Sequence, residues 1–533
     1  MDITQEKILI VGVDSQFIHS MLSIHYIYAN TRHKNVDIFE CNINMDVDVV
    51  LAEILERTPD IVAFSTYIFN IEFVVALSKL LRASGIVVVF GGIEVENNID
   101  AYVDCCDHIL IGDGEIVFDE FLFGDRKQKI VRATTSADLS KIYSPYTDKY
   151  FENAKGKIAY FEASRGCPFK CSYCMSANSK LSLSSLERVF SDLTKFQGKD
   201  IKVLKFVDRT FNAKADYSNA IVKFVVENQD KYGCQIHFEI APELINDEMV
   251  EILKTARPNF IRMEIGMQSL NAETLKKINR PFDAERLLRQ IEKLSSLRNI
   301  DCHVDIIAGL PFEDFQSLTT TFDKLYNLQP TEIQLGLLKL LPNSPLYIEK
   351  IDGYVHNDTP PYQITQSKWL SKTEIDEVLR TEQVVNRLYN SGRFKETLKY
   401  IFNYFQKINH KYSSQFTFFH DFAMSQASLQ SLSLFDLYGA TLDFACEVGL
   451  SRSVLIDLMR FDVASTNNSR ALPKSLFVKY NKKYKQDFDK SRFYLLPLFH
   501  NIFADCEEKE TQLLFDYSSY DYLNRRFSFT VED

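Results

Sequence analysis

Short apolar runs, separated by amphipathic stretches, punctuate the first quarter of the chain. Residues 7–13 (KILIVGV), 36–43, 61–66 (IVAFST), 87–92 (VVVFGG) and 108–114 (HILIGDG) are too continuous for a half-exposed strand. They predict strands buried on both faces, as in a parallel sheet. The intervening segments, such as 49–57 and 71–83, carry apolar positions at helical spacing and are long enough for crossover helices. The pattern predicts a five-stranded doubly wound, Rossmann-like sheet over residues 1–135, of order 2-1-3-4-5. Ligands of such sheets bind outside the carboxyl ends of the strands. Those ends carry Asp14-Ser15, Ser65-Thr66, Gly91-Gly92 and Gly112-Asp113-Gly114-Glu115, small residues that allow close approach to the backbone.

Residues 136–156 have no strong period and read as a linker. The alternation then resumes over 157–345. Strands are expected at 157–163 (KIAYFEA), 203–208 (VLKFVD), 235–240 (QIHFEI), 260–265 (FIRMEI), 303–308 (HVDIIA) and 332–341 (EIQLGLLKLL). A helix is expected at 183–196, with Ser184 and Glu187 in a capping-box relation. Six β/α units make a partial (β/α)6 barrel, whose reactive groups come from the carboxyl ends of its strands. Residues 346–533 are rich in Phe, Tyr, Leu and Lys at helical spacing and predict a mainly helical C-terminal domain. Ser371 and Glu374 open one helix there, and 394–408 and 432–448 read as others. The aromatics read as helix–helix core, with a substrate pocket as the alternative.

Composition adds boundaries. The 533 residues exceed one ordinary core, so several domains are expected. A hydrophobic share of 46% beside 25% charged residues is that of a soluble globular protein. No run approaches the roughly 20 apolar residues of a membrane helix, and the first residues lack the pattern of a secretory signal. A net charge of −11 leaves no footprint for nucleic acid. Ten cysteines in a chain this long do not suggest a disulfide framework.

Three of those cysteines carry the chemistry. Arg165-Gly166-Cys167-Pro168-Phe169-Lys170-Cys171-Ser172-Tyr173-Cys174 places three thiols at C-x3-C-x2-C spacing in one loop. Three thiolates so close suit three irons of a [4Fe–4S] cluster, leaving the fourth iron without a protein ligand. A zinc knuckle is the alternative, but it wants a fourth Cys or His close by. The next histidine is His237, outside the loop.

The loop, with Tyr173 before its last cysteine, closely resembles the signature of the radical S-adenosylmethionine (radical SAM) enzymes. Residues 264–269 (EIGMQS) and 305–311 (DIIAGLP) look like that superfamily's fourth and fifth strand motifs. The resemblance implies that Cys167, Cys171 and Cys174 ligate the cluster. It implies that Phe169, Tyr173, Asp208, Glu239 and Gln268 contact SAM. Each carboxylate has a plainer alternative, such as Glu264 pairing with Arg262. The first domain is similar to the cobalamin-binding domain that precedes many radical SAM domains. That likeness rests on the Ser-Thr, Gly-Gly and G-x-G-E strand ends, and it implies cobalamin contacts at Ser65, Thr66, Gly91, Gly92, Gly112 and Gly114. One departure is clear: the D-x-H-x-x-G that supplies a cobalt-ligating His is absent, and His19 stands at the wrong spacing. A nicotinamide site is not indicated, because no G-x-G-x-x-G follows the first strand.

Together these likenesses, over roughly residues 5–345, imply a cobalamin-dependent radical SAM enzyme. Such an enzyme cleaves SAM to a 5′-deoxyadenosyl radical and methylates or rearranges an unactivated centre. It would lie in the cytoplasm and take electrons from a reductant such as flavodoxin or ferredoxin. Two other readings stand beside it. A tRNA methylthiotransferase-like enzyme would need a second cluster from Cys41, Cys105 and Cys106. A cobalamin or redox sensor would need no turnover.

Overall fold

A computed structural model describes residues 5–280, 282–468, 470–479 and 489–532. The chain divides into two compact units. One comprises Met1–Glu264, Ile278–Arg280 and Lys339–Ile364; the other comprises Ile265–Lys277, Pro281–Leu338 and Thr365–Asp533.

The first unit opens with a parallel sheet. Its strands are β1 (Ile8–Asp14), β2 (Val36–Asn42), β3 (Ile61–Ser65), β4 (Val87–Gly91), β5 (His108–Ile111) and β6 (Ile130–Arg132), in the order β2-β1-β3-β4-β5-β6. The expected order is present, extended by one edge strand. β1 lies between its partners, with Ile8 opposite both Val36 and Ile61, and all seven of its residues are buried. Helices Val47–Glu56 and Ile71–Ala83 cover one face, packing Val50, Ile54, Val74 and Leu77 onto Val11, Phe64 and Phe90. Helices Leu22–Asn30 and Gly114–Phe123 cover the other, with Ile24, Phe118 and Phe121 against Ile8, Ile10 and Val89.

β7 (Ile158–Phe161) begins a second parallel sheet. The Ile158 N–H donates to the Ile18 carbonyl at 2.7 Å, so the loop after β1 abuts the root of β7. Two short strands follow, β8 (Ser164–Arg165) and β9 (Ser182–Leu183), then β10 (Val203–Phe206), β11 (Gln235–Ile240), β12 (Ile261–Gln268), β13 (Asp301–Ala308) and β14 (Glu332–Leu337). β7, β10, β11, β12, β13 and β14 form one six-stranded sheet in chain order. Its strands alternate clearly. In β12, Ile261, Met263, Ile265 and Met267 are buried, whereas Arg262, Glu264, Gly266 and Gln268 are half-buried. The helix at the start of this region is Leu186–Lys195, capped by Ser185 rather than Ser184. β15 (Val355–His356) and β16 (Ile364–Gln366) are short.

The second unit contains the expected helices. Lys372–Val384 opens on a full Ser371–Glu374 capping box, and Lys395–Lys407 and Leu434–Glu447 match the apolar periods. Phe416, Phe418 and Phe419 are fully buried, and Phe402 meets Phe419 at 5.7 Å between centroids. The aromatics of these helices therefore build core. Three antiparallel strands, β17 (Phe493–Leu498), β18 (Thr511–Asp521) and β19 (Arg526–Glu532), close the chain. This sheet was not expected from the helical spacing.

Candidate functional site

The cysteine loop is tied at its base. β8 and β9 pair antiparallel, Ser164 opposite Leu183 and Arg165 opposite Ser182. Gly166 turns at φ +86°, and a Cβ there would stand 2.2 Å from the Lys180 carbonyl oxygen, so only glycine fits. Remote segments brace the loop. The Ser172 N–H donates to the Ile278 carbonyl at 3.1 Å, and the Leu346 N–H donates to the Ser172 carbonyl at 2.7 Å.

Cys167, Cys171 and Cys174 are free and half-buried. Thr210 Oγ1 lies 3.3 Å from Cys167 Sγ, and the Ser176 N–H approaches Cys174 Sγ at 3.4 Å. Burial pushes the Cys171 thiol up, against the pull of the Arg280 charge. Arg280 pairs with Glu243 at 3.0 Å, and both are sealed from solvent. Arg280 also hydrogen-bonds the Tyr173 hydroxyl, whose titration burial pushes up. Among the described residues no three His, Cys, Asp or Glu side chains converge on one ion. A [4Fe–4S] cluster takes each thiolate on a separate iron, so such convergence is not its requirement. Hydrogen-bond donors and a cation beside the sulfurs are what a thiolate-bound cluster needs around it. The loop fits that group.

The SAM candidates occupy different settings. Gln268 ends β12 in the left-handed region, at φ +69°. Its Oε1 is buried and has no hydrogen-bond partner among the described residues. A strained backbone and an orphaned buried acceptor at a strand end are marks of a ligand contact. Glu239, on β11, lies 3.0 Å from Lys205 Nζ. Lys205, on β10, also reaches Glu264 at 3.1 Å, and His237 reaches Glu264 at 3.0 Å. The partner of Glu264 is therefore the Lys205–His237 pair. The His237 hydrogen bond and the Lys205 charge hold its carboxyl below the usual carboxylate range against the cost of burial, and burial lowers His237. The face of β10 and β11 that bears Lys205, His237 and Glu239 is thus ionic where a filled barrel would carry branched apolar residues. Phe169 is half-buried within the loop.

Asp208 is only 1% exposed. Its oxygens accept from the Ala163 N–H at 3.1 Å and the Ser164 hydroxyl at 2.5 Å. It thereby fastens the strand end that delivers the cysteine loop. Burial pushes its carboxyl up to about 7 from 3.8. The folded chain therefore keeps a proton that the unfolded chain sheds between about pH 4 and 7, and stability falls as pH rises through that window. Asparagine would keep its oxygen on the Ala163 N–H, turn its amide N–H towards the Ser164 hydroxyl oxygen, and carry no charge. Asp208→Asn should gain about 1–4 kcal/mol relative to wild type on going from about pH 4 to 8. Denaturant unfolding at the two pH values measures this, and an unchanged difference between the proteins would contradict it.

The first sheet offers an edge of another kind. Phe17, Phe69 and Ile93 are 74%, 41% and 38% exposed, just after the adjacent strands β1, β3 and β4. Large apolar side chains left open on two loops and a helix start at neighbouring strand ends mark a binding edge, and a corrin ring fits its chemistry. Some of the small residues at these strand ends also pack within the domain. A Cβ on Gly92 would stand 2.6 Å from the Thr66 carbonyl oxygen, and one on Gly112 would stand 2.8 Å from Ala133 Cβ. Both glycines serve packing within the domain. Gly114 is tight against Ile27 at 3.0 Å, while Gly91 meets only ordinary contacts at 3.6 Å. Thr66 donates to the Gly91 carbonyl at 2.8 Å, and Ser65 shares a hydrogen bond with Ser23 at 2.9 Å. His19 Nδ1 is held by the Tyr160 hydroxyl at 2.7 Å.

Sequence reasoning missed Arg165, Thr210, Arg280 and Glu243. Arg165 abuts the loop in sequence, but its partners lie far along the chain. Cys41 lies near the carboxyl end of β2, whereas Cys105 and Cys106 precede the amino end of β5. A second cluster from these three is not assembled. Among the described residues no helix is long and apolar enough to cross a membrane.

A nucleotide-type sheet with an apolar ligand edge, followed by a three-cysteine barrel loop, defines a two-cofactor α/β protein. Comparison with known proteins agrees. Residues 8–122 match the B12 binding domain, residues 161–325 the radical SAM superfamily, and residues 352–528 a protein family of unknown function, DUF4080. Residues 8–122 thus carry a B12-binding domain and residues 161–325 a radical SAM domain. The chain's cofactors are a [4Fe–4S] cluster, S-adenosylmethionine and cobalamin. It is 25% identical over 340 residues to the cobalamin-dependent radical SAM methyltransferase TokK of Streptomyces tokunonensis, covering 56% of this chain and 49% of TokK. It is 22% identical to the bacteriochlorophyllide d C-12(1)-methyltransferase of Chlorobaculum tepidum, over 57% of this chain and 68% of that protein. The chain spans about half the length of the first of these relatives. In fold it resembles the methyltransferase TsrM of Kitasatospora setae, with a TM-score of 0.55 at 17% identity over 66% of this chain and 79% of TsrM. It also resembles the cobalamin-dependent radical enzyme OxsB, with a TM-score of 0.57 at 12% identity over 86% of this chain and 79% of OxsB.

Proposed function

We propose that the chain is a cobalamin-dependent radical SAM enzyme that methylates an unactivated centre of its substrate, with rearrangement as the variant outcome. The observation that carries this reading is the braced three-cysteine loop, with a backbone N–H at Cys174 Sγ and Thr210 beside Cys167 Sγ, downstream of a sheet with an apolar ligand edge. When bound, the cluster and SAM supply a reductively formed 5′-deoxyadenosyl radical, and cobalamin supplies a methyl carrier. Cys167, Cys171 and Cys174 hold the cluster, and the Ser176 N–H moderates the charge on the Cys174 sulfur. Gln268, Glu239, Phe169 and Tyr173 contact SAM, and Asp208 supports them from behind by holding the loop's strand. Ser65, Thr66, Gly91, Gly92, Gly112 and Gly114 shape the loops of the cobalamin edge. The helical region packs its own aromatic core. A reducing cytoplasm and an electron donor such as flavodoxin or ferredoxin suit thiolate ligation.

The test is anaerobic purification with cobalamin supplied. Cobalt and iron content, release of 5′-deoxyadenosine from SAM, and mass spectrometry of methyl-labelled products are measured. One cluster, bound cobalt and SAM cleavage are expected. Iron without cobalt uptake would overturn the cobalamin reading.

A further inference from the structure

Two residues before the first cysteine stands a single guanidinium surrounded by three carboxylates. Arg165 Nη1 donates to Asp113 Oδ1 at 3.1 Å. Its Nη2 donates to Glu115 Oε1 at 2.9 Å and to Glu162 Oε2 at 2.8 Å. Its Nε donates to Glu162 Oε1 at 3.1 Å. The cation also stands 5.6 Å from the centre of the Tyr26 ring. Glu115 and Glu162 are largely buried, with side chains 5% and 12% exposed. All these groups lie within the first unit.

The partners come from two places. Asp113 and Glu115 form the turn after β5, at the ligand edge of the first sheet, with Glu115 in the first turn of helix Gly114–Phe123. Glu162 follows β7, and Arg165 belongs to β8, the strand that pairs at the base of the cysteine loop. A planar guanidinium with its donors fixed in a fork dictates the relative placement of the carboxylates it joins. Without the cation, three acidic groups would face one another in a poorly solvated space, and like charges there repel strongly. The cation therefore decides whether the β5 turn and the loop base can stay together. A ligand that shifts the β5 turn pulls on the base of the cysteine loop through this residue, and the reverse also holds.

We propose that Arg165 is a positioning residue that couples the cobalamin edge of the first domain to the cluster loop, so that each cofactor alters the affinity for the other. The proposal rests on the cobalamin-dependent radical SAM reading. Coupling between binding sites is reciprocal: cobalamin must change the SAM dissociation constant by the same factor as SAM changes that of cobalamin. A residue that merely holds the fold would lower both affinities and leave this factor alone.

The experiment uses the full chain with its cluster reconstituted. SAM binding is followed by its effect on the electron paramagnetic resonance spectrum of the reduced cluster, with and without saturating hydroxocobalamin. Hydroxocobalamin binding is followed by its visible absorbance, with and without SAM. The wild type should show a common factor of about 5-fold or more in both directions. Arg165→Gln should bring it to near one, and Arg165→Lys, which keeps charge but not the fork, should leave an intermediate value. Should the glutamine variant fail to hold its cluster, Glu115→Gln, from the other side of the bridge, carries the same expectation of a reduced factor. Equal factors in wild type and variants would overturn the proposal, as would a wild type that binds both cofactors independently. A wild type that takes up no cobalamin at all would instead overturn the functional reading.

Discussion

Cys171→Ala protein will leave anaerobic reconstitution with iron near background, no iron–sulfur absorbance and no measurable 5′-deoxyadenosine. Cys171 lies in the middle of the loop, half-buried, with the Arg280 charge acting on its thiol. Only three thiols are at hand in this loop, so losing one leaves two irons with protein ligands, too few to retain the cluster. The scaffold should survive. The loop is anchored by backbone hydrogen bonds at Ser172 and by the β8–β9 pairing, neither of which uses the sulfur. The circular dichroism spectrum and the unfolding profile of the apoprotein should therefore match wild type. Cys105→Ala serves as the control, because that thiol precedes the amino end of β5, outside the loop. It should keep full iron. Normal iron content and SAM cleavage in Cys171→Ala would remove the cluster assignment.

Much of this arrangement was legible because the chemistry is local. C-x3-C-x2-C needs only its own loop, and a parallel strand buried on both faces shows as an apolar run whatever surrounds it. Helix Ile71–Ala83 matches its periodic segment from end to end. The missed elements lack such a signal. β6 has only three residues, Ile130–Arg132, and exists because β5 offers an open edge. β17 contains Pro497 and lies in an aromatic-rich stretch, where helical and alternating patterns are hard to separate. The network around Arg165 was hidden for another reason. Asp113 and Glu115 precede Arg165 by some fifty positions, and only the topology brings them together. Glycines at strand ends have a second reason to be small. Small residues at Gly92 and Gly112 looked like room for a ligand, yet each is filled by the domain's own atoms. A glycine at a strand end speaks of close approach, and the sequence does not say by what.

Gly166→Ala is expected to cost the cluster almost as surely as a cysteine change, without touching a ligand. The residue stands at φ +86°, where an L side chain is strained, and its Cβ would fall 2.2 Å from the Lys180 carbonyl oxygen and 2.7 Å from the carbonyl carbon. The strain alone costs about 1–2 kcal/mol, which weakens retention of a loop-bound cluster about 5–30-fold. The collision adds to this, because backbone rather than a flexible side chain must yield. Moving Lys180 displaces the segment that leads into β9 and so loosens the pairing of Arg165 with Ser182. The three sulfurs then lose their common placement although each is still present. The measurement is the rate of loss of iron–sulfur absorbance under a fixed excess of chelator, with the unfolding transition of the apoprotein recorded in parallel. Gly198→Ala is the control for a left-handed glycine outside the loop: its φ is +71°, and a Cβ there would meet nothing within 4 Å. It should lose a little stability and keep its cluster at the wild-type rate. Gly166→Ala should lose its cluster about 5–30-fold faster than wild type from the strain term alone, and faster still with the collision. A cluster as durable in Gly166→Ala as in Gly198→Ala would show that the tight turn before Cys167 has no part in presenting the thiolates.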